Sequence, residues 1–214
     1  MLTVVEARVL GCLLEKQRTV PDQYPLTLNA LVSACNQSSS REPIMQLTDH
    51  DVETAIGSLK TQGLARLVHP SHGRSVTRYR QVADETWEVE PDAAALLSVL
   101  LLRGPQTVAE LRSRTERQHS FDSLGDVQEV LDALQQRELV RLLERRPGQK
   151  EPRWQQLLAE EPEPAESPTH LSGSAGSTGV VMGADPEIAD ALAARVAELE
   201  ARVATLEAAL ADLL

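Results

Sequence analysis

The sequence predicts a mainly α-helical chain with small β-hairpins, an α+β fold in which one helix–helix–helix–hairpin unit occurs twice and an amphipathic helix follows. Three observations predict it. Capping signatures precede apolar runs of helical period, residue types recur at one constant offset, and a heptad pattern occupies the last residues of the sequence.

The first unit opens with Thr3 and Glu6, spaced as a capping box, ahead of Val5, Val9, Cys12 and Leu13 at helical intervals. Pro21, Tyr24 and Pro25 mark a loop before a second helix over 27–37, and Ser38 to Pro43 form another loop. A third helix is expected from Thr48, with Asp51 in the capping position, through Val52, Ile56 and Leu59 to a Gly63 suited to a left-handed C-terminal cap. Strands over 64–68 and 76–82 then flank a turn that contains His69 and His72. The order returns after Pro91: an apolar helix to Arg103, a second helix opened by Thr107 and Glu110, a third over 123–137, and strands over 139–143 and 153–157 around Pro147 and Gly148.

The repeat has a constant register. Leu59, Leu64, Arg66 and Leu67 reappear as Leu134, Leu139, Arg141 and Leu142, and Arg78 with Tyr79 reappears as Arg153 with Trp154, each 75 residues on. Three helices closed by a two-stranded wing make the winged form of helix-turn-helix, so two tandem winged-helix domains are expected, at 1–88 and 89–158. An acidic, then Ser/Gly-rich linker is assigned to 159–187, where apolar residues are too few to offset chain entropy. A coiled-coil helix is assigned to 188–214. There Leu192, Val196, Leu199, Val203, Leu206, Leu210 and Leu213 alternate four and three residues apart, valines at a and leucines at d, which favours a parallel homodimer. The alternative is an amphipathic helix folded back on its own chain, since about three heptads make a marginal coiled coil.

Charge is unevenly distributed. The net charge of −11 divides into 11 acidic and 2 basic residues over 159–214 and 21 acidic and 19 basic residues before them, so the expected folded part is close to neutral. The run Ala93 to Leu102 is far too short to span a bilayer and no secretory signal opens the sequence, so no membrane association and a cytoplasmic location are expected. Cys12 and Cys35 form no CxxC pair and imply no disulfide framework.

The first half resembles the YceH-like proteins of bacteria, an uncharacterised family with a tandem winged-helix structure. The resemblance rests on the string from Glu6 to Lys16, on Tyr24-Pro25-Leu26, Ala34 to Gln37, Arg41 to Pro43 with Met45, Leu101 to Thr107, and Glu110 to Arg114. It covers about residues 1–158 and implies the fold; it carries no activity.

No enzyme chemistry is expected. The sequence holds no Gly-rich phosphate loop, GxSxG or HExxH. His69, His72, Cys12 and Cys35 lack paired ligand spacing, so neither metal nor other cofactor is expected, and Cys35 is read as a packing thiol before a nucleophile. Binding is the open question. Acidic residues Asp49, Asp51 and Glu53, and Asp126, Glu129 and Asp132, populate the third helices and disfavour groove insertion. Cations instead fall on the wings, Arg74, Arg78 and Arg80 in the first and Arg145, Arg146, Lys150 and Arg153 in the second, with Arg112, Arg114 and Arg117 making a second helix basic. Duplex DNA held through the wings by a regulatory protein is one expectation; a protein-interaction adaptor with an unknown protein partner, dimerising through its coiled coil, is the other. The polar segment bearing Asn36, Gln37, Arg41 and Glu42 is either an interaction loop or a structural one.

Overall fold

The computed structural model describes residues 1–69, 76–145 and 149–160. Helix α1 (Val4–Thr19) starts at a complete Thr3/Glu6 capping box, and α2 (Leu28–Cys35) starts at Thr27, whose hydroxyl accepts the Ala30 N–H. A two-residue strand β1 (Leu26–Thr27) stands immediately before α2, and a longer loop leads to α3 (Asp49–Thr61), capped by Thr48 and Asp51. Strands β2 (Ala65–Val68) and β3 (Arg78–Gln81) complete the first unit. A five-residue helix, α4 (Ala83–Trp87), ends in a left-handed Glu88. The second unit comprises α5 (Pro91–Arg103), α6 (Val108–Thr115), α7 (Leu124–Gln136), β4 (Val140–Leu143) and β5 (Arg153–Gln156). The architecture is mixed α/β, with seven α-helices and two small antiparallel sheets among the described residues.

The two units close in the same way. In the first, β3 lies between β2 and β1, pairing Leu67 and Leu26 with Tyr79. In the second, β5 pairs with β4, and Trp154 exchanges backbone hydrogen bonds with Gln106, the residue just before the α6 cap, at 3.0 and 2.7 Å. Tyr79 and Trp154 are the 75-residue equivalents noted in the sequence, and both are buried. The helix caps locate two length differences, since Thr3 to Thr27 spans 24 residues where Glu90 to Thr107 spans 17, and a second lies further on. Thr48 and Ser123, which cap α3 and α7, stand 75 residues apart, whereas Thr27 and Thr107, which cap α2 and α6, stand 80 apart. The first unit therefore has five more residues between its second and third helices.

Both units share one apolar core. Buried side chains run from Leu2 to Ala159 in a single cluster, and α1 lies against α5 where Gly11 faces Leu101 and Leu102. Burying both first helices against each other explains why α5 carries apolar residues at every position from Ala93 to Leu102 except Ser98, which is itself buried. Pairing continues past 158: Leu2 N–H donates to the Leu158 carbonyl, Glu160 N–H donates to that of Leu2, and Ala159 is buried. Ala159 and Glu160, assigned to the linker by composition, thus belong to the folded body. The rest of the linker and the heptad residues Leu192, Val196, Leu199, Val203, Leu206, Leu210 and Leu213 lie outside the described residues, as do Arg74 and Arg146. No helix among the described residues is long and apolar enough to cross a membrane.

Candidate functional site

The longer α2–α3 loop is wired into the body by arginines. Arg8 sits on the buried stripe of α1, 1% exposed, and donates to the Cys35 carbonyl at 3.1 Å and the Pro43 carbonyl at 2.5 Å. The Arg41 side chain is fully buried. Its Nε donates to the Ala34 carbonyl (3.0 Å), its Nη1 to the Ser40 carbonyl (2.9 Å), and its Nη2 to Gln37 Oε1 (2.9 Å). The same guanidinium clamps both oxygens of the Glu15 carboxylate, at 3.2 and 2.7 Å. Burial pulls the Glu15 carboxyl upward, but the hydrogen bonds and charge of Arg41, helped by Lys16 at 3.0 Å, outweigh it and hold Glu15 below its ordinary value. From the second unit, Arg103 Nη2 donates to Ser40 Oγ at 2.5 Å and the Leu102 carbonyl accepts the Glu42 N–H at 2.8 Å.

Each residue of the expected interaction loop therefore has a defined place. Asn36 ends α2 and its carboxamide pairs with the backbone of Leu47, accepting the N–H at 2.7 Å and donating to the carbonyl at 2.8 Å. Gln37 and Arg41 belong to the clamp just described. The Glu42 side chain is exposed, while its backbone is tied to α5.

The basic residues expected at a DNA interface are scattered and mostly held. Arg78 Nη1 donates to the Pro25 carbonyl at 2.8 Å, and its equivalent Arg153 donates to the Pro105 carbonyl at 2.9 Å and to Glu110 at 2.8 Å. One latch, an arginine leading the last hairpin strand onto a proline carbonyl before the second helix, is thus used in both units. Arg80 pairs with Glu85 at 3.4 Å, Arg114 with Glu110 at 3.6 Å, and Arg112 closes the α6–α7 loop on the carbonyls of Phe121 (3.1 Å) and Asp122 (2.9 Å). Arg145 and Lys150 are exposed and make no hydrogen bond or ion pair with the described residues.

What sequence reasoning missed is a basic cleft where the two units meet. It is a cavity of about 430 Å³ walled by the C-terminal turns of α1 and α5, the start of the α2–α3 loop and the end of α6. Four cations line it, Lys16, Arg103, Arg114 and Arg117, against the single carboxylate of Glu15. Burial, together with the facing charges of Arg114 and Arg41, pulls the Arg103 guanidinium below its ordinary value. Ser38, Ser39 and Ser40 contribute the rim. Ser40 holds a left-handed backbone (φ 62°), an uncommon conformation for a residue with a Cβ, stabilised here by Arg41 on its carbonyl and Arg103 on its hydroxyl. An adjoining groove shares Ser38, Ser40, Arg103 and Arg114 and is floored by Gln106, whose buried Oε1 has no hydrogen-bond partner.

Residues 2–149 match a family model described as a protein of unknown function, DUF480. The chain belongs to the DUF480 family. Its relatives include a UPF0502 protein of Geobacter metallireducens, 49% identical over 165 residues that cover 76% of this chain and 74% of that one. A UPF0502 protein of Solibacter usitatus is 42% identical over 191 residues, 88% of this chain and 92% of that one. A third, from Acidovorax, is 49% identical over 163 residues, 73% of this chain and 71% of its own.

The two cysteine thiols are withdrawn from solvent. Cys12 and Cys35 are both buried; the interaction with Cys12 together with burial pushes the Cys35 thiol far above its ordinary value, which keeps it protonated. Among the described residues no cluster of three or more His, Cys, Asp or Glu side chains is placed to hold a metal ion.

Proposed function

We propose that this chain is a non-enzymatic tandem winged-helix protein that associates with duplex DNA as a regulator, its grip provided by the second hairpin. The paired closure of each three-helix unit by β3 on β1 and by β5 on Gln106 supports the winged-helix reading, as does the resemblance to the YceH-like proteins. The observation that carries DNA binding is the exposure of Arg145 and Lys150, cations left unengaged while Arg78, Arg80, Arg112, Arg114 and Arg153 are engaged within the body. Contact of this kind meets phosphates rather than base edges, so weak sequence selectivity and strong salt dependence follow. The heptad seam at Leu192 to Leu213 supports a dimer, which would multiply a poor single-site affinity.

Fluorescence anisotropy of the full chain on random duplex DNA, titrated across salt, tests this. Binding that weakens steeply with salt is expected, and Arg145→Glu with Lys150→Glu should lower the salt slope by about two, at roughly 0.9 per phosphate contact. No binding at low salt would overturn it. The second reading, a protein-interaction adaptor, is favoured by the third helices: Asp49, Glu53, Glu129 and Asp132 are exposed on α3 and α7 and repel a phosphate backbone. Unchanged DNA retention in the double variant combined with loss of a captured protein partner on Glu129→Lys would establish the adaptor.

A further inference from the structure

We propose that the cleft between the units is a binding site for a small phosphorylated molecule, held by its phosphate at Arg103, Arg114, Arg117 and Lys16. The proposal is independent of whether the hairpin binds DNA. It begins with an imbalance of charge. Residues 1–158 are nearly neutral overall, yet four cations converge on one concavity of about 430 Å³. The only carboxylate among the lining residues, Glu15, is already bidentate to Arg41 and paired with Lys16. Arg103 is satisfied by a serine hydroxyl rather than by an acid, and exposed Arg117 makes no hydrogen bond or ion pair with the described residues. Lys16 shares Glu15 and Arg114 is paired with Glu110 at 3.6 Å, so Arg103 and Arg117 bring the charge that no acid offsets, and a multiply charged anion relieves the repulsion among the four as it binds.

The chemistry of the walls selects among anions. Guanidinium forks match pairs of phosphate oxygens, and the Ser38, Ser39 and Ser40 hydroxyls add neutral donors on the rim. Gln118 places a carboxamide in the same wall with its oxygen already accepting from Ser98 at 2.7 Å, so the amide N–H groups are its remaining donors. This donor excess suits phosphate better than a carboxylate with its single negative charge. The volume lies near the small end of the roughly 300–1,000 Å³ usual for ligand pockets, while the phosphates of a DNA duplex stand on a convex ridge that does not enter a concavity of this size. The adjoining groove gives the remainder of the molecule a place. That groove is lined by Ser38, Ser40, Arg103, Pro105 and Gln106 and is open enough to receive the part of the molecule beyond its phosphate.

Isothermal titration of the full chain with inorganic pyrophosphate at low ionic strength tests the phosphate half of the site. Saturable binding, one per chain, is expected. Arg117→Glu, on an exposed side chain that the fold does not need, should weaken it by roughly 10-fold or more, as should Arg103→Met in a variant shown by circular dichroism to melt as a folded protein. Arg145→Glu on the hairpin should leave it unchanged. Absence of saturable binding at millimolar pyrophosphate, or binding that both cleft variants retain, overturns the proposal. So does duplex DNA that displaces pyrophosphate and loses affinity with Arg117→Glu, since the cleft would then be a nucleic-acid surface.

Discussion

Replacing Arg41 by methionine, which keeps volume while removing charge and donors, should destabilise the protein by about 3–5 kcal/mol, the usual cost of leaving one partner of a buried ion pair unpaired. The side chain is fully buried and its partner Glu15 is 14% exposed, so water can only partly replace the guanidinium. Lys16 at 3.0 Å remains to compensate Glu15, which places the expectation nearer about 3 kcal/mol than the upper value. Glu15→Gln in the same background should recover part of the loss, because no uncompensated charge then remains; a coupling energy of about 1–3 kcal/mol is expected between the two positions. Urea unfolding of the full chain at neutral pH, followed by far-ultraviolet circular dichroism on wild type, both singles and the double, measures all four corners. A pH series adds an independent test. Glu15 is held below its ordinary value of 4.5 in the folded state, so the pair's contribution is complete above that value and lost as pH falls through the lower, folded one. Arg103 and Lys16 face the same carboxylate and sustain a remnant of the effect, so the acid limb should be shallower, not absent, in Arg41→Met. A cost under about 1 kcal/mol for Arg41→Met, or strict additivity in the double variant, would refute the reasoning.

Asn36→Ala should cost about 1–3 kcal/mol by stripping both partners from the Leu47 backbone, measured as a lowered urea midpoint, and should leave anion and DNA binding at wild-type strength in the remaining folded protein. Gly11→Ala places a Cβ 2.9 Å from Leu102 Cγ and 3.2 Å from Leu101 Cβ, so about 1–3 kcal/mol of overpacking is expected; an unchanged melting temperature would show that the α1–α5 contact is looser than described. Arg153→Ala removes hydrogen bonds to Pro105 and Glu110 and should lower stability by about 1–3 kcal/mol while leaving the salt slope of DNA binding intact, in contrast to the pair at Arg145 and Lys150.

Elements written into the chain by neighbouring residues were legible, and elements created by distant partners were not. A capping box is an i, i+3 device, so Thr3/Glu6 and Thr107/Glu110 announce α1 and α6 from the sequence alone. Helix α4 has no such device. Its first N–H groups, of Ala83 and Asp84, are accepted by the Gln81 side chain from within β3, and no capping side chain stands at Val82. β1 is two residues long and exists because β3 lies beside it. Arg8 shows a signal that was present and overlooked: it shares the stripe of Val5, Val9 and Cys12, so helical periodicity alone places it inward, although arginine ordinarily faces solvent. The basic cleft was legible only in part: Arg114 and Arg117 stand out as a local basic stretch, but Lys16 of α1 and Arg103 of α5 join them only when the two units pack together.

Arginines at equivalent positions of the two units divide into structural and functional ones more sharply by their partners than by their exposure. Arg78 and Arg153 make the same bond to the same kind of carbonyl at equivalent positions, and a feature kept in both copies needs no explanation beyond closing each unit. The five additional residues of the α2–α3 loop have no counterpart, and what they hold together is likewise found once: Arg8 and Arg41 beneath, Arg103 reaching across from the other unit, and serines along the rim of a positively charged cavity. A loop needed only for connection could have kept the shorter length that serves between α6 and α7. Its extra length instead orders buried guanidinium groups at a desolvation cost, and that cost is offset where Glu15 and the backbone carbonyls accept from them. Arg103 and Arg117, which no acid pairs, are left facing the cleft, so the longer loop of the first unit borders a place where the body carries unneutralised charge.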